Sequence, residues 1–401
     1  MEIEECMERL LAEADAIEET EWVDIDKVCG RVCADNVLSG MMVPHFPKSA
    51  MDGYAVKAEE VMRTSQDEPV KLKVLGELCA GDFIPFLHEP MSAVRVMTGA
   101  YVPEGFDAVI RQEDTDYGEK EVAVYRGVSQ YTNYCKVGED LQKGQILVPK
   151  RMRLTPLHIG LLASVGNSEI EVIRPVKVSI LSTGSELCTV DEALAPGKIY
   201  NSIAYILQTA IRQEGLSVVS VQTCTDEEEL LTQTIREMAE EADILITTGG
   251  VSVGKKDLIP EVLRALGAKV LFQGANIQPG TPTMASKYEN TLLLHLSGNP
   301  YAALANFELY FWPLVAKMMG NESYTPKCST AVLACEYPKI NKMRRLIRAY
   351  AEAGEVTIPS EVHASSVIHN LAECNCFIDL EAGRAVQKGD TVKIRFYKNG
   401  F

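Results

Sequence analysis

The sequence predicts a multidomain chain, α/β followed by β, on three observations. From Val176 to Gly320 strand-like and helix-like segments alternate. Beyond Gly320 only strand patterns recur, and between about 20 and 150 short apolar runs are broken by many turns. With 401 residues the chain also exceeds the roughly 100 to 200 residues of one domain.

The elements follow in order. Ile3, Met7, Leu10, Leu11, Ala14 and Ile17 fall at helical spacing, which predicts a surface helix over residues 3–17 with one apolar face. "TPLHIGLLASVG" predicts a helix with Thr155 as cap, Pro156 in the first turn and Gly166 as stop. From there strands and helices alternate: "VKVSIL", then "SIAYILQTAIRQEG"; "LSVVSVQ", then "DEEELLTQTIREMAEEA"; "DILITT", then "DLIPEVLRALG". "KVLFQ" and "TLLLHL" read as further strands, and "NPYAALANFELYFWPLVAKMMG" as one long closing helix. Such alternation predicts a parallel sheet with helices on both faces. "STAVLACEY", "RRLIRAYAE", "EVTIPS", "CFIDLE" and "TVKIRFY" then predict a small β-barrel or sandwich over about 326–401.

Composition excludes some classes. The net charge of −17 argues against a nucleic-acid binder, which carries a basic footprint. It also means that an anionic substrate must be met by local cations, a metal ion or backbone N–H groups. No run of eighteen apolar residues predicts a membrane span, and the acidic "MEIEECMERLLAEAD" lacks the basic start of a signal peptide. The 11 cysteines are scattered without metal-site spacing, which fits free thiols in a reducing cytoplasm.

Three loops leave strand ends with small residues: "STGSEL" (182–187), "TTGGVSVGKKD" (247–257) and "SGNP" (297–300). In an open parallel sheet ligands bind beyond the carboxyl ends of the strands, and glycine lets backbone approach them. One such loop is ordinary turn chemistry, whereas three at one sheet edge predict a ligand site. Glu186, Asp226 and Asp257 each lie just past a strand. Singly each reads as a helix cap; together they read equally well as Mg²⁺ ligands beside a phosphate. "PHFPKSAMDGYAV" (44–56) is either a structural loop or a second site element, and "IQPGTP" (277–282) is a rigid turn without charge.

"SAMDGYAV", "VRVMTGAYVPEGFDAVI" with "QED", "GED" at 138–140, "STGSEL", "TTGGVSVGKKD", "PGTP" and "SGNP" occur in one order along nearly the whole chain. In this they resemble the molybdopterin molybdenumtransferases, the family of bacterial MoeA and the E domain of gephyrin. The resemblance implies a split, elongated dimerisation domain at 1–45 and 140–174, an inserted β-rich domain at 46–139, a three-layer α/β molybdopterin-binding domain at 175–325 and a C-terminal β-barrel at 326–401. It implies insertion of molybdate into adenylylated molybdopterin with Mg²⁺ and release of AMP. It further implies a cytoplasmic homodimer that receives the adenylate from a molybdopterin adenylyltransferase and supplies molybdoenzymes.

By the same resemblance Asp52, Thr98, Glu186, Asp226 and Asp257 are catalytic, and Glu186, Asp226 and Asp257 hold the metal. Thr183, Gly184 and Ser185 of the first loop, and Gly249, Gly250, Ser252 and Gly254 of the second, would bind the substrate. So would Pro279 and Gly280 of the rigid turn and Asn299 and Pro300 of the third loop. Arg348 and Ser365 would face the oxyanion.

The chain departs from the family pattern in one direction. I-K-P-G-K-P is "IQPGTP" here, so Gln278 and Thr281 stand where lysines are expected, and the family's P-G-N-P-x-S loses a proline and a serine around Asn299. Each charge-assisted hydrogen bond to an anion is worth roughly 1.5 to 3 kcal/mol. Two readings follow: an enzyme that inserts molybdenum or tungsten through a rebuilt oxyanion pocket, or a non-catalytic pterin-binding paralogue acting as carrier or sensor.

Overall fold

The computed structural model describes residues 1–251, 258–359 and 364–398. The N-terminal periodicity becomes α1 (Ile3–Ala12), shorter than the sequence predicts. Ala14 and Ile17 are buried beyond its end, because the chain straightens and the Ile17 N–H donates to the Met318 carbonyl at 2.8 Å. That carbonyl belongs to the last turn of another helix and has no partner within it.

The chain divides into two compact units, residues 36–150 with 156–169 and residues 1–35 with 151–155 and 170–401. The smaller unit is built on a five-stranded sheet: β1 (Gly53–Val56), β2 (Val70–Leu78), β3 (Ser92–Val96), β4 (Ala108–Arg111) and β5 (Glu121–Val124). Their order is β4-β1-β3-β2-β5, antiparallel except for the β2–β3 pair. Alternate residues of β1 bury to opposite sides, Tyr54 and Val56 in one apolar cluster and Ala55 in another. The predicted helix over "TPLHIGLLAS" is α2 (Pro156–Ser164), and Gly166 after it has φ +81°.

The larger unit carries a six-stranded sheet. Its strands are β6 (Lys177–Thr183), β7 (Ser217–Cys224), β8 (Ile244–Thr248), β9 (Lys269–Gln273), β11 (Met284–Tyr288) and β12 (Thr291–Leu296), with β10 (Ile277–Gln278) outside it. The order is β7-β6-β8-β12-β11-β9. The first four strands are parallel, as the alternation predicts; β11 runs antiparallel to both of its neighbours, β12 and β9, so β9 points the same way as the first four. The sequence reading missed β11, through which "KVLFQ" (β9) joins the sheet. A two-residue turn at Glu289–Asn290, with Glu289 at φ +51°, joins β11 to β12, and so short a link permits only an antiparallel pair.

Helices cover both faces. α3 (Ser202–Gln213), α6 (Pro300–Asn306) and α7 (Trp312–Met319) share a core with α1 and with Ile244, Ile246, Leu292 and Leu294. On the other face α4 (Glu228–Glu240) and α5 (Ile259–Leu266) pack on Leu181, Leu245 and Leu293. The strands are therefore apolar on both sides, as the continuous runs predict. His295 is the polar exception at the sheet centre, fully buried, with Nδ1 2.8 Å from Thr247 Oγ1 and Nε2 2.9 Å from Ser286 Oγ. Burial pulls its pKa down to about 3, so the ring is neutral.

The predicted single closing helix is interrupted. Phe307–Phe311 form a π-helical turn between α6 and α7. Pro313, within the first two positions of α7, lacks the N–H an unbroken ladder needs, and the wider turn absorbs the mismatch.

The C-terminal strands resolve the barrel-or-sandwich alternative as a closed five-stranded barrel. β13 (Cys328–Leu333), β14 (Arg344–Glu352), β15 (Glu355–Thr357), β16 (Cys376–Leu380) and β17 (Thr391–Phe396) close in the order β14-β15-β13-β17-β16-β14. Ile347, Ala349, Ile378 and Ile394 fill the interior. β10 pairs in parallel with the start of β14, Ile277 opposite Arg344 and Gln278 opposite Arg345. No described helix is long and apolar enough to cross a membrane.

Candidate functional site

The carboxyl ends of β6, β8 and β12 deliver the glycine loops to one cavity of about 460 Å³ in the larger unit. Thr183, Gly184 and Glu186 line it from the first loop, Gly249 and Gly250 from the second, and Asn299 and Pro300 from the third. This is the crevice that a doubly wound sheet offers a ligand. Gly184, at φ +151°, lies against the Glu186 carboxylate: an added Cβ would sit 2.7 Å from Oε2. Ser185 is exposed outside the cavity wall, and its N–H lies 3.4 Å from Asp226 Oδ2.

Asp226 is not a helix cap. α4 begins at Glu228, its N-cap is Glu227, and no side chain caps it. Asp226 instead lines the same cavity as Glu186, which leaves two carboxylates, Asp226 half-buried and Glu186 exposed, free of arginine or lysine ion pairs among the described residues. Oxygen ligands of this kind suit Mg²⁺ beside a phosphate. Asp257, Ser252 and Gly254 lie outside the described residues, and the described ones hold no cluster of three candidate ligands. Lys198, which sequence reading missed, donates from Nζ to the Ser185 carbonyl at 2.6 Å and brings a cation to this loop.

A second cavity of about 970 Å³ shares Pro282, Ser297 and Asn299 with the first, so the two run together. Pro279, Gly280 and Thr281 of the rigid turn form one side and Ser365 part of the other. Gly280, at φ +101°, is pressed against α6: a Cβ there would meet Asn306 Oδ1 at 2.5 Å, while Asn306 Nδ2 donates to the Gly280 carbonyl at 3.0 Å. Thr281 turns its hydroxyl onto the Ile277 carbonyl at 2.5 Å. The Tyr301 N–H in the first turn of α6 donates to the Ser365 carbonyl at 3.0 Å and holds Ser365 at the rim.

Arg348 corrects the sequence reading. It does not reach either cavity and is only 1% exposed. Its guanidinium donates to the carbonyls of Val367 and Ala364, each at 2.7 Å, and to Asn370 Oδ1, and it stacks 4.0 Å from the Tyr301 ring centroid. It braces the segment carrying Ser365. The cations that do line the larger cavity are Lys339 and Arg345. Spacing along β14 carries no signal for Arg345; its place follows from the pairing of β14 with β10, which sets it opposite Gln278.

In the smaller unit, Asp52 Oδ1 accepts from the N–H and from the hydroxyl of Thr98, each at 2.7 Å. The hydroxyl bond first, then the backbone one, holds the Asp52 carboxyl below the usual carboxylate range. The two residues expected to act together thus form one surface pair.

Comparison with known proteins places the chain. Residues 1–166 match the family described as "MoeA N-terminal region (domain I and II)", residues 179–317 the "Probable molybdopterin binding domain" and residues 330–396 the "MoeA C-terminal region (domain IV)". The chain is 36% identical to the molybdopterin molybdenumtransferase of Bacillus subtilis (strain 168), over 94% of this chain and 89% of that protein. It is 33% identical to the enzyme of the same name from Staphylococcus epidermidis, over 93% and 90%. The crystal structure of the molybdopterin biosynthesis MoeA protein from Pyrococcus horikoshii superposes with a TM-score of 0.87 at 28% identity, covering 99% of both chains.

Proposed function

Because the chain belongs to the molybdopterin molybdenumtransferase family, that of MoeA, we propose that it inserts molybdenum from molybdate into adenylylated molybdopterin, with release of AMP. The observation that carries this reading is the joined pair of cavities, one with two carboxylates and glycine loops, the other with two cations. The first suits a phosphate and its metal, the second a small oxyanion. Their shared wall at Ser297 and Asn299 would bring the two reactants together.

Glu186, Asp226 and, outside the described residues, Asp257 would hold Mg²⁺, which neutralises charge on the phosphate that leaves with AMP. The N–H groups of the glycine loops would orient the phosphate. Gly280 and Ser365 would bound the oxyanion and Arg348 would keep Ser365 in place; in the smaller unit, Asp52 held by Thr98 is a separate catalytic candidate. We assign residues 1–45 with 140–174 to dimerisation, 46–139 to an inserted domain, 175–325 to molybdopterin binding and 326–401 to the barrel domain. A cytoplasmic homodimer, fed by a molybdopterin adenylyltransferase and serving molybdoenzymes, completes the reading.

The test is AMP release from adenylylated molybdopterin with Mg²⁺, with and without molybdate. Molybdate-dependent release is expected. Tight binding of the adenylate with no AMP under molybdate or tungstate would instead assign the protein as a pterin-binding carrier.

A further inference from the structure

Arg344, Arg345 and Arg348 begin β14 within five residues and meet three different environments. Arg344 is neutralised by Asp379, at 2.7 Å, and by Glu4. Arg348 is spent on neutral acceptors beneath the Ser365 segment. Arg345 is 7% exposed and lines the larger cavity, yet among the described residues no carboxylate oxygen forms an ion pair with it. Its acceptors there are both neutral, Asn341 Oδ1 at 3.1 Å and Gln278 Oε1 at 3.3 Å, and both engage Nη1. Nε and Nη2 meet no acceptor among those residues. A nearly buried guanidinium without a counter-charge is costly, and its unused fork matches two oxygens of an anion.

The surroundings fit a small dianion. Lys339 lies on the exposed side of the same cavity, and the Lys339 carbonyl is contacted by Asn341 Nδ2 at 3.4 Å, so one short turn bears the second cation and one acceptor of the first. Ser297 and Ser365 supply hydroxyls on the cavity wall. The facing turn, Gln278 to Pro282, brings no charge. Glu336 is the single described carboxylate in the lining.

We propose that Arg345, with Lys339, forms a tetrahedral-oxyanion subsite, so that this chain supplies the charge from its barrel and uses Gln278 to hold the arginine instead of a cation on the turn. The proposal rests on the transferase reading. The oxyanion is either free molybdate or a phosphate group, and the two are tested separately.

The experiment is calorimetric titration of the full-length protein with molybdate alone and with inorganic phosphate alone. Arg345→Gln is expected to weaken binding of the anion the subsite takes by about ten- to a hundredfold, with Arg345→Lys retaining part of the affinity. Lys339→Ala, at an exposed position, is expected to weaken it severalfold with an unchanged melting temperature. Gln278→Lys, also exposed, is expected to weaken binding by placing a second cation on Arg345, and to recover it when combined with Arg345→Gln. Wild-type affinity for both anions in Arg345→Gln, or no binding of either to the wild type, overturns the subsite. So does tighter binding in Gln278→Lys with Arg345 present. If wild-type AMP release stays molybdate-dependent while Arg345→Gln binds normally, the subsite alone fails; loss of molybdate-dependent AMP release in the wild type fails the transferase reading.

Discussion

A carboxylate just before a helix looks the same in sequence whether it caps or binds. Asp226 is resolved by geometry: Glu227 takes the cap position, and Asp226 turns into the cavity beside Glu186. That carboxylates and glycines of these loops gather at one cavity was thus legible. The placement of the arginines was not, because the family motif points to Arg348, which is buried beneath the Ser365 segment, while Arg345 lines the cavity through its pairing with β10. Asp226→Ala is expected to lower Mg²⁺-dependent AMP release by about a hundredfold or more, the scale of removing one electrostatic contact to a reacting centre. A half-buried side chain off the helix cap contributes little to folding, so thermal unfolding should shift by less than about 0.5 kcal/mol. AMP release at wild-type rate in a folded Asp226→Ala protein would remove the residue from the mechanism.

Among the elements, those set by local periodicity were legible: the parallel strands, α3, α4 and α5, and all five barrel strands appear where the sequence places them. What local pattern does not encode is partner choice. The antiparallel edge follows from the length of one link, and the π-helical turn from one proline within an otherwise good helical pattern. That turn places Glu308 in the core, with Oε2 accepting from the Lys398 N–H at 2.9 Å. Burial pushes its pKa up to about 7 from 4.5, against that hydrogen bond and the nearby Lys398 charge, while Glu214 acts with the burial. The folded state therefore keeps the proton that the unfolded state loses near 4.5. Stability should fall as pH rises from about 4.5 through 7, by on the order of 3 kcal/mol in all, and then level off. Glu308→Gln should abolish that decline, so its melting temperature should exceed the wild-type value at pH 8 and converge on it at pH 5. Parallel pH profiles of the two proteins would exclude Glu308 as the cause.

At the scale of the whole molecule, α2 carries the clearest sign of a missing partner. It contains no charged residue, yet only Leu162 is buried and Leu157 is 86% exposed. A helix with so little polar surface, His158 and Ser164 alone, is stable when covered. Sedimentation should accordingly give twice the 44.1 kDa chain mass, and Leu157→Asp should return the single-chain value. A wild-type protein sedimenting at 44.1 kDa at micromolar concentration would end the dimer assignment. Net charge −17 argues against nucleic acid as a class, but it conceals where the cations are, since Arg345 and Lys339 sit in a cavity that no average reports. The two-residue pairing of Ile277–Gln278 with Arg344–Arg345 bears on how such chains can be recombined. A chimera in which residues 328–396 were replaced by a barrel without an arginine at position 345 would unite an uncharged turn with an uncharged strand. The opposite exchange would crowd both cations into one place. If the barrel supplies the charge, the turn and the barrel must be exchanged as a pair, although they lie far apart in sequence.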